Sequence, residues 1–187
     1  MREHLITSGL ETLHRQGFNG SGVQDITDAA GLPKGSFYNY FESKEAFALE
    51  VIDRFGREQG ALGAVLSDES ISPVERLRQY FTSLAGNLAA LNYERGCLVG
   101  NLSTELADHS RPIRDRLASN FAAWSRPIEA CLRDGQKAGE ISKDAEARTL
   151  AEFLLNSFEG AMLRMKVEKD SSPLDNFMTV IFSRVLI

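Results

Sequence analysis

The chain has 187 residues, 43% hydrophobic and 25% charged, with a formal net charge of −5. That balance suits a globular protein with a real core and excludes disorder as the dominant state; at roughly 100–200 residues per domain it allows one domain or two. No stretch approaches the ~18 uninterrupted apolar residues of a membrane helix. Met1-Arg2-Glu3-His4 leads into a polar amphipathic segment rather than a signal-peptide core, so the sequence reads as cytoplasmic with no membrane partner. Net acidity argues against non-specific polyanion binding and leaves room for a small DNA-reading patch. Two cysteines, Cys97 and Cys131, make neither a disulfide framework nor a thiolate cage, and the three histidines lack metal-ligand spacing, so no metal and no cofactor are expected.

Helical periodicity runs almost from end to end and predicts an all-α fold of about nine helices. Ile6, Leu10 and Leu13 define a first helix over 2–17 that closes at Gly17. Short helices over 24–31 and 34–40 precede one over 43–62, on which Phe47, Val51 and Phe55 share a face. Ser72-Pro73-Val74-Glu75 is a capping box with proline in the first turn, opening a helix over 73–91. Its apolar stripe is Val74, Leu77, Phe81, Leu84, Leu88 and Leu91. Helices over 96–108, 111–137, 144–168 and 173–185 follow, with Ser110, Asp144 and Ser172 as N-caps. Gly139 marks a C-terminus, and Pro127 predicts a kink or break in the longest stripe. The division is a small N-terminal module, residues 1–48, and a larger helical body, residues 49–187.

Residues 23–41 have helix-turn-helix logic. The first short helix buries Ile26 and Ala30, and Gly31 supplies the positive φ of a sharp turn. Lys34-Gly35-Ser36 then opens the second helix with a cation, a missing side chain and a hydroxyl, suited to phosphates and base edges. Tyr38 and Tyr40 add flat donors, while Phe37 and Phe41, four apart, face inward. Against this, residues 1–50 carry four basic residues (Arg2, Arg15, Lys34, Lys44) and seven acidic ones, unlike a typical basic DNA footprint.

The segment Phe18–Leu49 resembles the N-terminal domain of the TetR family of bacterial repressors. The residues that carry the resemblance are Gly17-Phe18, Val23-x-x-Ile26, Ala29-Ala30-Gly31-Leu32, Lys34-Gly35-Ser36-Phe37-Tyr38-x-Tyr40-Phe41 and Ser43-Lys44-Glu45. The resemblance implies an Ω-shaped all-α homodimer with an N-terminal reader of double-stranded operator DNA. It also implies a ligand-binding and dimerisation body whose unidentified small-molecule effector releases the DNA. DNA contacts would fall on Gln24, Thr27, Lys34, Gly35, Ser36, Tyr38, Tyr40 and Lys44. Two departures bear on the phosphate contacts: Gly22 stands where the family usually has Ser or Thr, and Pro33 where it commonly has Ser.

In the body the implied effector pocket would draw on Phe81, Leu84, Leu88, Cys97, Asn101, Leu102, Phe121, Trp124, Phe158 and Met162, each equally readable as plain core. The implied dimer interface would use the helices over 144–168 and 173–185, the latter carrying Phe177, Val180, Ile181 and Val185, an apolar surface that burial against a second copy would explain. Gly96-Cys97-Leu98 resembles an element of the LmrA-like and NemR-like members of the family, some of which sense electrophiles through cysteine. A thiol at this helix start, beside Arg95, would be biased toward the thiolate; a buried structural cysteine is the competing reading. No nucleophile–base pair, HExxH, phosphate loop or carboxylate pair points to an enzyme, and His109 beside Asp108 sits at a helix end. The expected function is a ligand-responsive, DNA-binding transcriptional regulator, with a small-molecule carrier or a thiol sensor acting through Cys97 as alternatives.

Overall fold

The computed structural model describes all 187 residues, Met1–Ile187. It is all-α: α1 (Arg2–Gln16), α2 (Val23–Ala29), a 3-10 helix (Lys34–Asn39), α3 (Lys44–Leu62) running into a 3-10 segment (Gly63–Ser67), α4 (Pro73–Ala90), α5 (Leu98–Leu106), α6 (Arg111–Ala138), α7 (Ala147–Glu168) and α8 (Ser172–Val180), which ends in a π-turn (Ile181–Val185). The chain forms two compact units. One is Met1–Glu58 with Cys97–Asn120; the other is Gln59–Gly96 with Phe121–Ile187. The first unit thus carries α5 and the opening of α6 beside the N-terminal helices.

The first unit is built on an aromatic knot. Phe37, Phe41 and Phe47 pack with ring centroids 4.9–5.3 Å apart, tilted or edge-on, the geometry ring quadrupoles favour. Leu5, Leu13, Ile26, Val51 and Ile52 complete this core, and α1 packs on α2 and α5. Polar ties link its distant segments: the Ser110 hydroxyl donates to Glu45, and the Arg116 guanidinium to Asp53. Ser110 also accepts from the Ile113 amide at 3.2 Å and so caps α6.

In the second unit Phe81, Phe158 and Phe177 form a triangle with centroids 5.1–5.2 Å apart, joining α4, α7 and α8. The buried Cys131 thiol donates to the Pro73 carbonyl at 3.3 Å, and Gln136 donates to the carbonyls of Ser142 and Ala145, pinning the α6–α7 turn.

Several local expectations are met and others corrected. Ser72 accepts from the Glu75 amide as the expected cap, and Gly17 and Gly139 adopt φ of 77° and 76° after their helices; Ser43, read as the first residue of its helix, lies just before it and accepts from the Ala46 amide. Pro127 produces no break: α6 is continuous from Arg111 to Ala138. Asp144 does not cap α7, which starts three residues later at Ala147. Ser172 lies inside α8, its hydroxyl turned back to Asp170 and Glu168. Gly96 lies outside α5 with φ of 68°, so its flexibility serves the turn and imposes no helical penalty.

Candidate nucleic-acid interface

The turn that separates the two short helices is set by the sequence itself. Gly31 adopts φ of 65°, a conformation that strains any residue with a Cβ, and the Leu32 amide closes back on the Thr27 carbonyl at 2.9 Å. At the start of α2, where Gly22 offers no capping side chain, Asp25 reaches back to accept the Gly22 amide at 2.5 Å. This is one half of a capping box, made from the third helical position. Ser21 is occupied elsewhere, donating to the Gly17 carbonyl at 2.8 Å.

The expected second helix is a 3-10 helix of six residues, tighter than the α-helix read from the sequence. Its cause is local: Pro33 supplies no side-chain cap, Gly35 is a poor helix former, and the Ser36 amide bonds to the Pro33 carbonyl at 2.9 Å, a three-residue step. Phe37 is fully buried and anchors the segment, while Tyr38 and Tyr40 stand 58% and 41% exposed. Lys34 and Gly35 are exposed and Ser36 half-buried. On the preceding helix Gln24 is exposed, its amide donating to Asp28 at 2.5 Å.

Two of the expected DNA contacts point elsewhere. Thr27 is fully buried, and its hydroxyl donates to the carbonyls of Val23 and Gln24, so it secures α2 from inside. Lys44 faces the protein: its ammonium donates to the Phe18 carbonyl and lies 4.1 Å from the Phe18 ring centroid. Burial lowers the Lys44 pKa, opposed by the negative charges of Glu105 and Asp25.

Of the expected pocket residues, Phe81 and Phe158 belong to the packed aromatic triangle, and Leu88 and Met162 are buried with them in the second unit, where Leu84 is half-buried. Cys97, Asn101 and Leu102 belong to the first unit, the Cys97 sulfur accepting from the Gly100 amide at 3.4 Å at the start of α5. Phe121 packs edge-to-face on Trp124 and borders an open cleft of about 510 Å³ between α6 and α7. Arg126, Glu129, Arg148 and Glu152 also line that cleft. Among the expected interface residues Val180 is 51% exposed, but Phe177 and Ile181 are 7% and 2% exposed, drawn into their own subunit's core. Val185 is half-buried. On α7, the other helix expected at the interface, the sequence reading named no residue; Phe153, Leu163 and Val167 are 48–78% exposed on one side of it. Their offsets of 10 and 14 residues place them off the buried stripe, which was the available signal. A shallow groove of about 300 Å³ joins Phe153 and Gly160 to Val180.

Comparison with known proteins accords with this geometry. Residues 5–51 match the family described as bacterial regulatory proteins, tetR family, and residues 73–181 match the tetracyclin repressor-like C-terminal domain. The HTH-type transcriptional repressor DhaR of Mycobacterium sp. (strain GP1) is 43% identical over 187 residues, covering all of this chain and 92% of that protein. The HTH-type transcriptional repressor NemR of Escherichia coli (strain K12) is 28% identical over 176 residues, 94% of this chain and 88% of that protein. The crystal structure of regulatory protein TetR from Rhodobacter sphaeroides superposes with a TM-score of 0.92 at 36% identity, covering 99% of this chain and 98% of that one.

Proposed function

This chain belongs to the TetR family of bacterial transcriptional regulators, and on that premise we propose that it is a homodimeric repressor whose 3-10 helix Lys34–Asn39 reads one half of a palindromic operator. The chain is a DNA-binding regulator and not an enzyme, as are the relatives it resembles. The observation that carries the reading is the split of one short segment into two faces. Phe37 is locked in the aromatic knot, while Lys34, Gly35, Tyr38 and Tyr40 are left outward. A segment so anchored presents donors rigidly, and rigidity reduces the entropy lost on binding.

The direct contacts assigned here are Gln24, Lys34, Gly35, Ser36, Tyr38 and Tyr40; Thr27 and Lys44 act from inside. With a net charge of −5 overall, affinity rests on these placed contacts rather than on bulk attraction. The second copy is assigned to the exposed apolar side of α7 and α8, Phe153, Leu163, Val167 and Val180, which a monomer would leave in water. Such a dimer would carry two reading segments, one for each half-site of a palindromic operator. A small apolar or electrophilic effector is assigned to the helical body, with Phe121 and Trp124 beside the cleft between α6 and α7. By linkage it would lower operator affinity by as much as it prefers the DNA-free state.

Footprinting on the DNA flanking the gene tests this reading. Two protected half-sites related by a dyad support it. A single unpaired site, or none, contradicts it.

A further inference from the structure

We propose that Glu105 is the positioning residue of the DNA-reading helices: from α5 its carboxylate fixes the Gly17–Ser21 loop and thereby sets how α2 and the Lys34–Asn39 helix are presented. The proposal rests on the reading of that helix as the DNA face, and all the groups involved lie in the first unit.

Glu105 accepts two backbone amides across more than 80 residues of sequence, Phe18 N–H on Oε1 at 3.3 Å and Asn19 N–H on Oε2 at 2.8 Å. Amide bonds to a carboxylate are stronger than those between neutral groups. The backbone approaches so closely that a Cβ on Gly17, already at φ of 77°, would collide with the same carboxylate oxygen. The Phe18–Asn19 peptide, whose N–H is the one given by Asn19, is held on its other side as well. Its carbonyl accepts from the Lys44 ammonium, and from the Ser21 hydroxyl at 3.3 Å. One peptide is thus gripped by α5 through its N–H and by the start of α3 through its C=O. The loop it belongs to leads directly into α2, whose N-cap residue Gly22 donates its amide to Asp25. A shift of α5 therefore moves both acceptors of the loop together, and the loop carries α2 with it. The hydrogen bonds of Glu105 go to the Phe18 and Asn19 amides and not to the DNA face, so its effect on DNA is indirect.

The variant Glu105→Gln preserves size but removes the charge and one of the two acceptor oxygens. Hydrogen exchange on the full-length protein is expected to quicken about tenfold in residues 17–22, the scale of one charge-assisted bond, and to spread into residues 23–39, with α6–α8 unchanged. On the duplex that the wild type binds most tightly among fragments tiled across its flanking DNA, the Kd of the variant should rise about tenfold at a temperature where both are fully folded. Faster exchange confined to 17–22, or an unchanged Kd with both proteins folded, overturns the proposal. If the wild type binds no duplex, the DNA-reading role fails by itself, and the spread or confinement of exchange still decides the role of Glu105. Should Glu105→Gln fail to fold, Glu105→Asp, which keeps the charge on a shorter arm, is judged by the same exchange criterion.

Discussion

The ammonium of Lys44 donates to the carbonyl of Phe18 and lies 4.1 Å from the centroid of the same residue's ring. A cation so placed is spent on the fold, binding the start of α3 to the loop before α2. Lys34, by contrast, stands exposed at the mouth of the reading helix. The two lysines of the reader therefore have separable effects. Lys34→Ala should lower the slope of log affinity against log salt by about one, as expected for one lost phosphate contact. Lys44→Met should lower the melting temperature while leaving that slope unchanged. Operator titrations at several salt concentrations, with melting curves beside them, check both.

Tyr38 and Tyr40 are more than 40% exposed next to a fully buried Phe37. Tyr38 meets the core through one edge-on contact with the Phe37 ring at 5.4 Å, and both tyrosines are otherwise turned outward, so Tyr38→Ala and Tyr40→Ala should each weaken operator binding about tenfold, roughly 1.4 kcal/mol. The melting temperature should stay within a degree or two of wild type. A loss of binding that tracks a loss of stability would argue that the rings support the fold instead.

Leu163 and Val167 are 64% and 78% exposed on α7. If a second copy covers them, Leu163→Glu places a charge in an apolar contact and should convert the dimer to monomer at micromolar concentration. Analytical ultracentrifugation reads this directly. The isolated monomer should remain helical, because Phe81, Phe158 and Phe177 pack within one subunit.

Cys131 gives the protein an alkaline limit. Burial pushes its thiol up to about 11 from 9.0. Between those values the folded chain holds a proton that the unfolded chain has released. Stability is therefore unaffected below pH 9 and falls as pH rises toward 11, by at most about 1.4 kcal/mol per pH unit. Urea denaturation across that window should show the decline, and Cys131→Ala should flatten it. At neutral pH the thiol, 1% exposed and donating to Pro73, should react far more slowly with disulfide reagents than it does in urea.

Much of this fold was legible in the sequence because helical periodicity and capping chemistry are local. Leu77 and Phe81 are buried where the stripe placed them, and Ser72 and Ser110 cap the helices they precede. The turn at Gly31 and the inward Phe37 were equally readable, since backbone conformation and spacing fix them. The 3-10 form of Lys34–Asn39 has a local cause in Pro33 and Gly35, whereas the misplaced interface and contact residues share another, which is that long-range packing chooses among locally equivalent options. Phe177 and Ile181 are as apolar as Val180, and only the approach of α8 to α4 and α7 decides that the first two fill the subunit core. Thr27 carries the same hydroxyl as a surface residue would, yet the neighbouring helices close over it. Glu105 lies 86 residues from Asn19, and nothing in its own surroundings in the sequence announces the bond.

Specific DNA reading is proposed for the Lys34–Asn39 helix. Its most direct test is a fluorescence-anisotropy titration against duplexes tiled across the DNA flanking the gene, at two salt concentrations. One tightly bound duplex that contains an inverted repeat and stays preferred at the higher salt is expected. Equal, weak and salt-sensitive binding to every duplex would contradict it.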